Sequence, residues 1–278
     1  MKLATLHLSD SRTTAARVDD GGYLPLPFAD VGGLLADPAG LERARAATGA
    51  HLEPNSGYRL APVVTNPGKV LCIGLNYRKH IEETGEAVPE YPTLFNKYAD
   101  SLVGADDEVL LPAVSSRVDW EAELVAVIGR VVRDEDEASA ASAIAGFTVG
   151  NDVSMRDYQA RTSQWLQGKC FEAATPVGPV MVTTDIIGAA PDLQITCEVD
   201  GVVKQDSRTS DLLFSPAAIV SYISRFMTLR PGDLVFTGTP GGVGQARTPK
   251  EFLTDGAELT TRVELIGECR NRFRSGTA

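Results

Sequence analysis

The sequence has few cysteines and no long hydrophobic run. Its 278 residues include four cysteines, and none of these lie two to four positions apart. Zinc ribbons and redox pairs need cysteines at that short spacing, so both are excluded. Widely separated cysteines are typical of reduced cysteines in a cytosolic protein. No run approaches the roughly 18 apolar residues of a membrane-spanning helix, and the first residues lack the apolar core of a signal peptide. We therefore expect a cytoplasmic protein without a membrane segment.

Several common functional signatures are also missing. The chain has no phosphate-binding loop, no G-x-G-x-x-G motif that opens a helix, and no G-x-S-x-G motif of a serine hydrolase. Basic residues are in the minority, with 26 lysines and arginines against 37 aspartates and glutamates, so the net charge is −11. Binding to nucleic acid requires a basic face, and this balance argues against a nucleic-acid partner.

What is present is an ordinary globular composition with many short strand patterns. Many short strands and few helices predict a mainly β fold with some α (α+β), in which the larger part is a rolled or barrel-like mixed sheet. Residues 1–65 differ in texture and are expected to form a small N-terminal α+β module, in which residues 34–49 look helical. A linker rich in proline and glycine, residues 53–68, leads into a second domain over residues 66–278.

Two glutamates alternate along one predicted strand. Glu121 and Glu123 lie in DWEAELVAVIG, where alternation places both side chains on one face and the apolar continuation enters the core. Asp152 ends the apolar run AIAGFTVGND, and it joins the other two if the strands are neighbours. Three carboxylates without histidine or cysteine would suit Mg²⁺ or Mn²⁺. The alternative is an exposed strand edge whose charges are solvated.

Three histidines occur, and one of them has a carboxylate at helical spacing. His7 and His51 have no visible partner and are interpreted as structural or exposed, whereas His80 precedes Glu83 by three residues in NYRKHIEE. A histidine oriented by a carboxylate is the usual arrangement of a general base. A plain surface ion pair would show the same spacing.

A glycine-rich segment, residues 238–244 with the sequence GTPGGVG, completes the candidate features. Its backbone could approach a small anion closely, because glycine leaves the N–H groups unobstructed. The simpler alternative is a turn between two strands.

The order of several motifs resembles the fumarylacetoacetate hydrolase family. These motifs are CIGLNYRKHIEE, DWEAELVAVIG, GNDVSMRDYQ, QGKCFEAATPVGP and RPGDLVFTGTPGGVG, and the resemblance covers about residues 68–273. It implies a mixed β-roll, a homodimer, and Mg²⁺ or Mn²⁺ held by Glu121, Glu123 and Asp152. It also implies a water-activating pair (His80 and Glu83), a catalytic Lys169, and contacts with the substrate through Arg156, Gln159 and Thr239.

The resemblance further implies chemistry on a small 2-oxo or β-diketo acid. We expect a hydrolase that cleaves a carbon–carbon bond in an acylpyruvate, with a metal-stabilised enolate, because a water-activating pair favours hydrolysis. Oxaloacetate decarboxylation and isomerisation of a dienol diacid use the same enolate and remain alternatives, as does a non-catalytic binding module that shares the fold. Residues 88–98 and 164–171 are expected to line the distal end of the substrate site.

Overall fold

The computed structural model describes residues 1–8, 12–52 and 58–276. The first part of the predicted linker, residues 53–57, lies outside the described residues. Strands account for 37% of the structure and helices for 21%. The predicted mainly β fold class with some α is therefore confirmed. Among the described residues, no helix combines the length and the apolar character that crossing a bilayer requires.

The strands are short and follow one another along the whole chain. Their bounds are β1 Lys2–His7, β2 Thr13–Asp19, β3 Gly22–Pro25, β4 Arg59–Leu60, β5 Val70–Gly74, β6 Thr93–Lys97, β7 Leu102–Val103, β8 Val109–Leu111, β9 Val118–Asp119, β10 Ala122–Ile128, β11 Ile144–Asn151, β12 Ser154–Met155, β13 Thr175–Thr183, β14 Gln194–Val199, β15 Val202–Arg208, β16 Leu234–Phe236, β17 Glu258–Val263 and β18 Gly267–Ser275.

The helices are mostly one or two turns long. They are α1 Val31–Ala36, α2 Gly40–Ala46, α3 Arg78–Thr84, α4 Glu137–Ala141, α5 Arg156–Gln159, α6 Leu166–Lys169, α7 Thr184–Ile187 and α8 Pro216–Ser224. The helix expected over residues 34–49 is wrong in its extent, because the segment forms two short helices. Pro38 lies between them and has no N–H to donate, and the preceding Asp37 is extended, as residues before proline prefer to be.

In the described residues, the strands form one large sheet and two smaller ones. The large sheet runs β3-β2-β1-β13-β11-β10-β16-β5-β6, with β4 beside β1 and β7 beside β13. A five-stranded sheet has the order β15-β14-β17-β18-β8, and β12 pairs with β9. Most pairs are antiparallel, but β16 runs parallel to β5, so the large sheet is mixed. This arrangement matches the rolled mixed sheet that the sequence predicts.

The N-terminal residues share the large sheet with the rest of the chain. β1 pairs with β13, and one buried apolar cluster contains Leu34 together with Val70 and Phe236. Hydrogen bonds and packing therefore run across the predicted boundary near residue 65, and that boundary stays a prediction.

Candidate active site

Three acidic side chains meet where β10 begins and the neighbouring β11 ends. Glu121 directly precedes β10, Glu123 lies within it, and Asp152 follows β11. β10 and β11 are antiparallel neighbours, and the Asp152 N–H extends their pairing by donating to the Glu121 carbonyl oxygen at 2.9 Å. Carboxylate oxygens of the three residues lie within 4.8 Å of one another, and all three residues are buried. The structure thus brings together the carboxylates that the sequence pattern grouped, away from bulk solvent.

The buried cluster concentrates negative charge. Burial raises the pKa of Glu123 well above its ordinary value, and the neighbouring Asp152 and Glu121 raise it further. Burial also acts to raise the pKa of Glu121, but the positive charges of Lys169 and Arg156 outweigh it and lower that pKa to about 2. Glu123 has no ion-pair partner among the described residues, so its negative charge is the least compensated of the three.

Two lysines neutralise part of this charge. The Lys169 Nζ in α6 lies 2.8 Å from both Glu121 Oε2 and Asp152 Oδ2. Lys97, at the end of β6, donates to the other Asp152 oxygen at 2.5 Å. Burial would lower the pKa of Lys169, but the charges of Asp152 and Glu121 raise it instead. The Lys169 ammonium group is therefore held in the charged form by the acids it contacts.

The donor set fits a hard divalent cation. Oxygen ligands from carboxylates, with no imidazole or thiolate in the described cluster, are those that Mg²⁺ and Mn²⁺ prefer. A cation among these oxygens would also supply the positive charge that Glu123 lacks. The residues that would hold it are Glu121, Glu123 and Asp152.

A histidine and a glutamate form a hydrogen-bonded pair on α3. The His80 Nδ1 lies 3.1 Å from Glu83 Oε2, and the Gly242 N–H donates to the same carboxylate at 3.0 and 3.1 Å. Burial acts to raise the pKa of Glu83, but the hydrogen bonds from His80 and Gly242 outweigh it and lower the pKa. His80 is 8% exposed and the Glu83 side chain is 27% exposed, so the histidine is buried while its partner reaches solvent. α3 ends at Thr84, and the following Gly85, with a φ of 71°, caps it in the left-handed conformation.

The glycine-rich loop binds carboxylates through its backbone. The Gly238 N–H donates to Glu123 Oε2 at 2.6 Å, and the Gly244 N–H donates to Asp119 Oδ1 at 2.7 Å. Gly238 has a φ of +104°, a conformation that favours glycine. The loop backbone therefore donates to the protein's own acidic side chains, and its approach to a small anion stays a prediction.

A cavity of about 390 Å³ joins these groups. His80, Glu121 and Lys169 line it, as do all three residues expected to contact the substrate: Arg156, Gln159 and Thr239. All nine candidate residues therefore lie at this site: seven line the cavity, including Glu83, and Glu123 and Asp152 belong to the carboxylate cluster with Glu121.

Aromatic rings form one wall of the cavity. Phe95 and Trp165 contact each other edge to face, with ring centroids 5.6 Å apart. They come from the two segments, residues 88–98 and 164–171, that were expected to line the distal end. A Cβ added at Gly74 would lie 2.5 Å from the Trp165 ring, so the absence of a side chain there makes room for the indole.

The sequence reasoning missed two charged residues of the site. Lys97 contacts Asp152, and Asp119 accepts a hydrogen bond from Arg156 Nε at 2.7 Å. Asp119 could have been found, because it is two residues before Glu121 in the same alternating segment. Lys97 carried no such signal, since its partner lies 55 residues further along the chain.

The mixed sheet and the three buried carboxylates beside a cavity indicate an enzyme. Residues 69–274 match the family model of the fumarylacetoacetate (FAA) hydrolase C-terminal domain. The chain belongs to the fumarylacetoacetate hydrolase family, as its motifs suggested.

Relatives within this family carry different activities. Human mitochondrial oxaloacetate tautomerase FAHD2A is 42% identical over 238 residues, which cover 84% of this chain and 76% of the relative. The 2-hydroxyhepta-2,4-diene-1,7-dioate isomerase of Mycobacterium marinum is 33% identical, with a TM-score of 0.80 over the full length of both chains. Fumarylpyruvate hydrolase from Pseudomonas aeruginosa, solved with Mn²⁺ and pyruvate, is 34% identical, with a TM-score of 0.70 over 78% of this chain and 92% of that one.

Proposed function

We propose that the protein is a tautomerase of 2-oxo dicarboxylic acids of the oxaloacetate type, dependent on Mg²⁺ or Mn²⁺. The observation that carries the proposal is the cavity in which His80, held by Glu83, lies with Lys169 and the carboxylate cluster. The identity with oxaloacetate tautomerases supports the choice of substrate class. This conclusion favours proton transfer over the carbon–carbon hydrolysis expected from the sequence.

The proposed mechanism needs a base and a stabilised oxygen. A divalent cation held by Glu121, Glu123 and Asp152 would polarise the 2-oxo group and offset the repulsion between an acidic protein and an anionic acid. His80 donates from Nδ1 to Glu83, which leaves Nε2 free to accept the proton from the carbon next to the oxo group. The electron pair of that C–H bond moves towards the oxo oxygen, which takes a proton from solvent water to give the enol. His80 then releases the proton it accepted to solvent.

Two cationic side chains complete the proposed site. The Lys169 ammonium group lies at the cavity wall and stabilises negative charge that develops on the oxygen. Arg156 donates to Gln159 Oε1 at 2.9 Å and pairs with Glu121, so the guanidinium is fixed where a substrate carboxylate can reach it. In the reverse direction His80 returns its proton to carbon, and the ketone is formed again.

Hydrolysis of acylpyruvates is the second candidate function. It is favoured by the His80–Glu83 pair, which is equally suited to take a proton from water, and by the similarity to fumarylpyruvate hydrolase. The two functions differ in their products, because only hydrolysis releases pyruvate from an acylpyruvate.

The test is a substrate panel assayed on the metal-free protein with and without added Mg²⁺ or Mn²⁺. We expect metal-dependent interconversion of enol and keto oxaloacetate, measured as the loss of enol absorbance. We also expect the protein to release little pyruvate from acylpyruvates. Rapid pyruvate release from acylpyruvates without oxaloacetate tautomerisation would favour the second candidate. The predicted homodimer and cytoplasmic location stay predictions, and the named tautomerase relatives are mitochondrial proteins.

A further inference from the structure

One buried carboxylate near the cavity has no role in the proposed mechanism. Asp119 is the last residue of β9, lies two positions before Glu121 and is fully buried. It does not line the cavity, and it does not belong to the carboxylate cluster. Any influence of Asp119 on a bound ligand must therefore pass through the groups that donate to it.

Three backbone N–H groups and one guanidinium nitrogen donate to this carboxylate. The N–H groups of Trp120 and Gly244 donate to Oδ1 at 2.8 and 2.7 Å. The Gln245 N–H and Arg156 Nε donate to Oδ2 at 2.9 and 2.7 Å. Buried carboxylates need such donors, because burial removes their contact with water. Asp119 therefore connects the end of the glycine-rich loop to the arginine.

The protein contacts two of the three Arg156 nitrogens and leaves the third one unpaired. Nε donates to Asp119, while Nη1 donates to Gln159 Oε1 at 2.9 Å and lies 2.7 Å from Glu121 Oε1. Nη2 has no hydrogen-bond partner among the described residues, and it is not one of the enclosed unpaired atoms. Arg156 lines the cavity. An accessible guanidinium donor at a cavity suits a carboxylate ligand.

The contact with Asp119 is suited to fixing the direction of Nη2. An arginine side chain has several rotatable bonds, and a ligand that has to order them loses affinity. Glu121, the other acid that Arg156 contacts, also pairs with Lys169. By contrast, Arg156 is the only ion-pair partner of Asp119 within the described residues. The guanidinium is therefore oriented by an acid that has no other charged partner and is itself held by backbone donors.

We propose that Asp119 is a positioning residue, which orients the Arg156 guanidinium so that Nη2 can donate to a carboxylate of an acid bound in the cavity. Asp119 acts on the ligand through Arg156 alone and takes no part in the proton transfer. The inference deepens the proposed function and rests on it for the class of ligand, a 2-oxo acid.

A double-mutant cycle distinguishes positioning from a merely structural role. The ligand is 2-oxoglutarate, a stable 2-oxo dicarboxylic acid, titrated calorimetrically at saturating Mn²⁺ into the wild-type protein, Asp119→Asn, Arg156→Leu and the double variant. Asp119→Asn keeps the shape of the side chain but replaces one acceptor oxygen by a donor. Asp157→Asn is the matched control, because this carboxylate lies beside Arg156 on α5 and accepts from the Ser115 hydroxyl instead.

We expect Asp119→Asn and Arg156→Leu each to weaken binding about 10- to 100-fold, the usual effect of losing a hydrogen bond to a charged group. In the double variant, Asp119→Asn should add less than about twofold to the loss caused by Arg156→Leu, because the group that it orients is gone. Asp157→Asn should bind as the wild-type protein does. Additive losses, unchanged affinity in Asp119→Asn, or no binding by the wild-type protein would overturn the inference.

Denaturant unfolding shows whether each variant is folded. If Asp119→Asn does not fold, Arg156→Lys takes its place, because lysine keeps the positive charge but has one nitrogen instead of three and cannot contact Asp119 and the ligand with separate nitrogens. A loss as large as that of Arg156→Leu would support the inference, and a smaller loss would overturn it. If the two residues are coupled but oxaloacetate is not tautomerised, the proposed function fails and the positioning role stands.

Discussion

At the scale of single residues, the three acids of the site differ in how far nearby positive groups neutralise their negative charge. Glu121 and Asp152 each contact a lysine, whereas Glu123 meets the Gly238 N–H and no cation among the described residues. This inequality explains why the pKa of Glu123 is raised while that of Glu121 is lowered. It identifies Glu123 as the acid whose charge a bound cation would stabilise most.

The His80–Glu83 pair gives the first prediction at this scale. His80→Asn should lower kcat by about 10²- to 10⁴-fold, the usual contribution of a general base. Glu83→Gln should lower kcat less, because a glutamine oxygen can still accept from the Gly242 N–H. The measurement is steady-state tautomerisation of oxaloacetate at saturating Mn²⁺. Glu82→Gln, an exposed neighbour on α3, should behave as wild type. Normal turnover by His80→Asn would contradict the assigned role.

Pairs of interacting site residues could be predicted from the sequence only where the two partners lie close together along the chain. Glu121 and Glu123 are two apart at the start of β10 and His80 and Glu83 are three apart on a helix, so regular periodicity places each pair together. Lys97 and Asp152 are joined only by the fold, and no local pattern marks them. The buried Gln245 Oε1, which has no hydrogen-bond partner in the described part of the chain, can be recognised only when its surroundings are known.

At the scale of elements, short helices carry the charged groups into the cavity. α6 packs against α5 at Gly168, where an added Cβ would lie 2.5 Å from the Gln159 backbone nitrogen. The neighbouring Lys169 is buried and reaches Glu121 and Asp152. Close contact of the two helices therefore fixes the lysine, although neither helix is longer than four residues.

Gly168→Ala tests this helix contact. The methyl group has no space against a backbone, so α6 must move, and we expect a loss of about 1–3 kcal/mol in the free energy of unfolding together with reduced kcat. Denaturant unfolding and kinetics on the same preparation would measure both. Gly33→Ala is the matched control, because a Cβ there meets its nearest neighbour, Asp30, at an ordinary 3.4 Å. A Gly168→Ala protein with unchanged stability would show that the helices are not closely packed.

Helices and strands can be predicted well from the sequence where a characteristic residue or dipeptide marks their first or last position. Ser215 directly before a proline is a typical helix start, and it caps α8 by accepting from the Ala218 N–H at 3.0 Å. Asp200-Gly201 is a typical hairpin turn, and it joins β14 to β15. The parallel pairing of β16 with β5 joins residues more than 160 positions apart. Such long-range pairing has no local pattern, so the sheet order could not be derived from the sequence.

At the scale of the whole molecule, one large sheet connects the N-terminal residues to the site. β1 pairs with β13, which neighbours β11, and β11 leads to Asp152. Leu34 on α1 is fully buried in the same cluster as Val125 of β10. Packing in the N-terminal part therefore supports the strands that carry the carboxylates.

Leu34→Ala tests whether the chain unfolds as one unit. Removing this buried side chain should reduce the free energy of unfolding by about 2–5 kcal/mol. Trp120 and Trp165 both lie beyond residue 65, so their fluorescence reports on the larger part of the chain. We expect the tryptophan transition to shift, and the exposed Leu265→Ala to leave it unchanged. An unchanged tryptophan transition in Leu34→Ala would instead indicate an independent N-terminal module.

The central claim is that Glu121, Glu123 and Asp152 hold one divalent cation on which activity depends. The most direct measurement is calorimetric titration of Mn²⁺ into the metal-free protein and into Glu123→Gln, a variant that keeps the shape of the side chain but lacks its charge. We predict one ion per chain for the wild-type protein, and for Glu123→Gln we predict much weaker binding and a matching loss of oxaloacetate tautomerisation. Equal Mn²⁺ affinity in the two proteins, or full activity of the wild-type protein after its metal is removed, would contradict the claim.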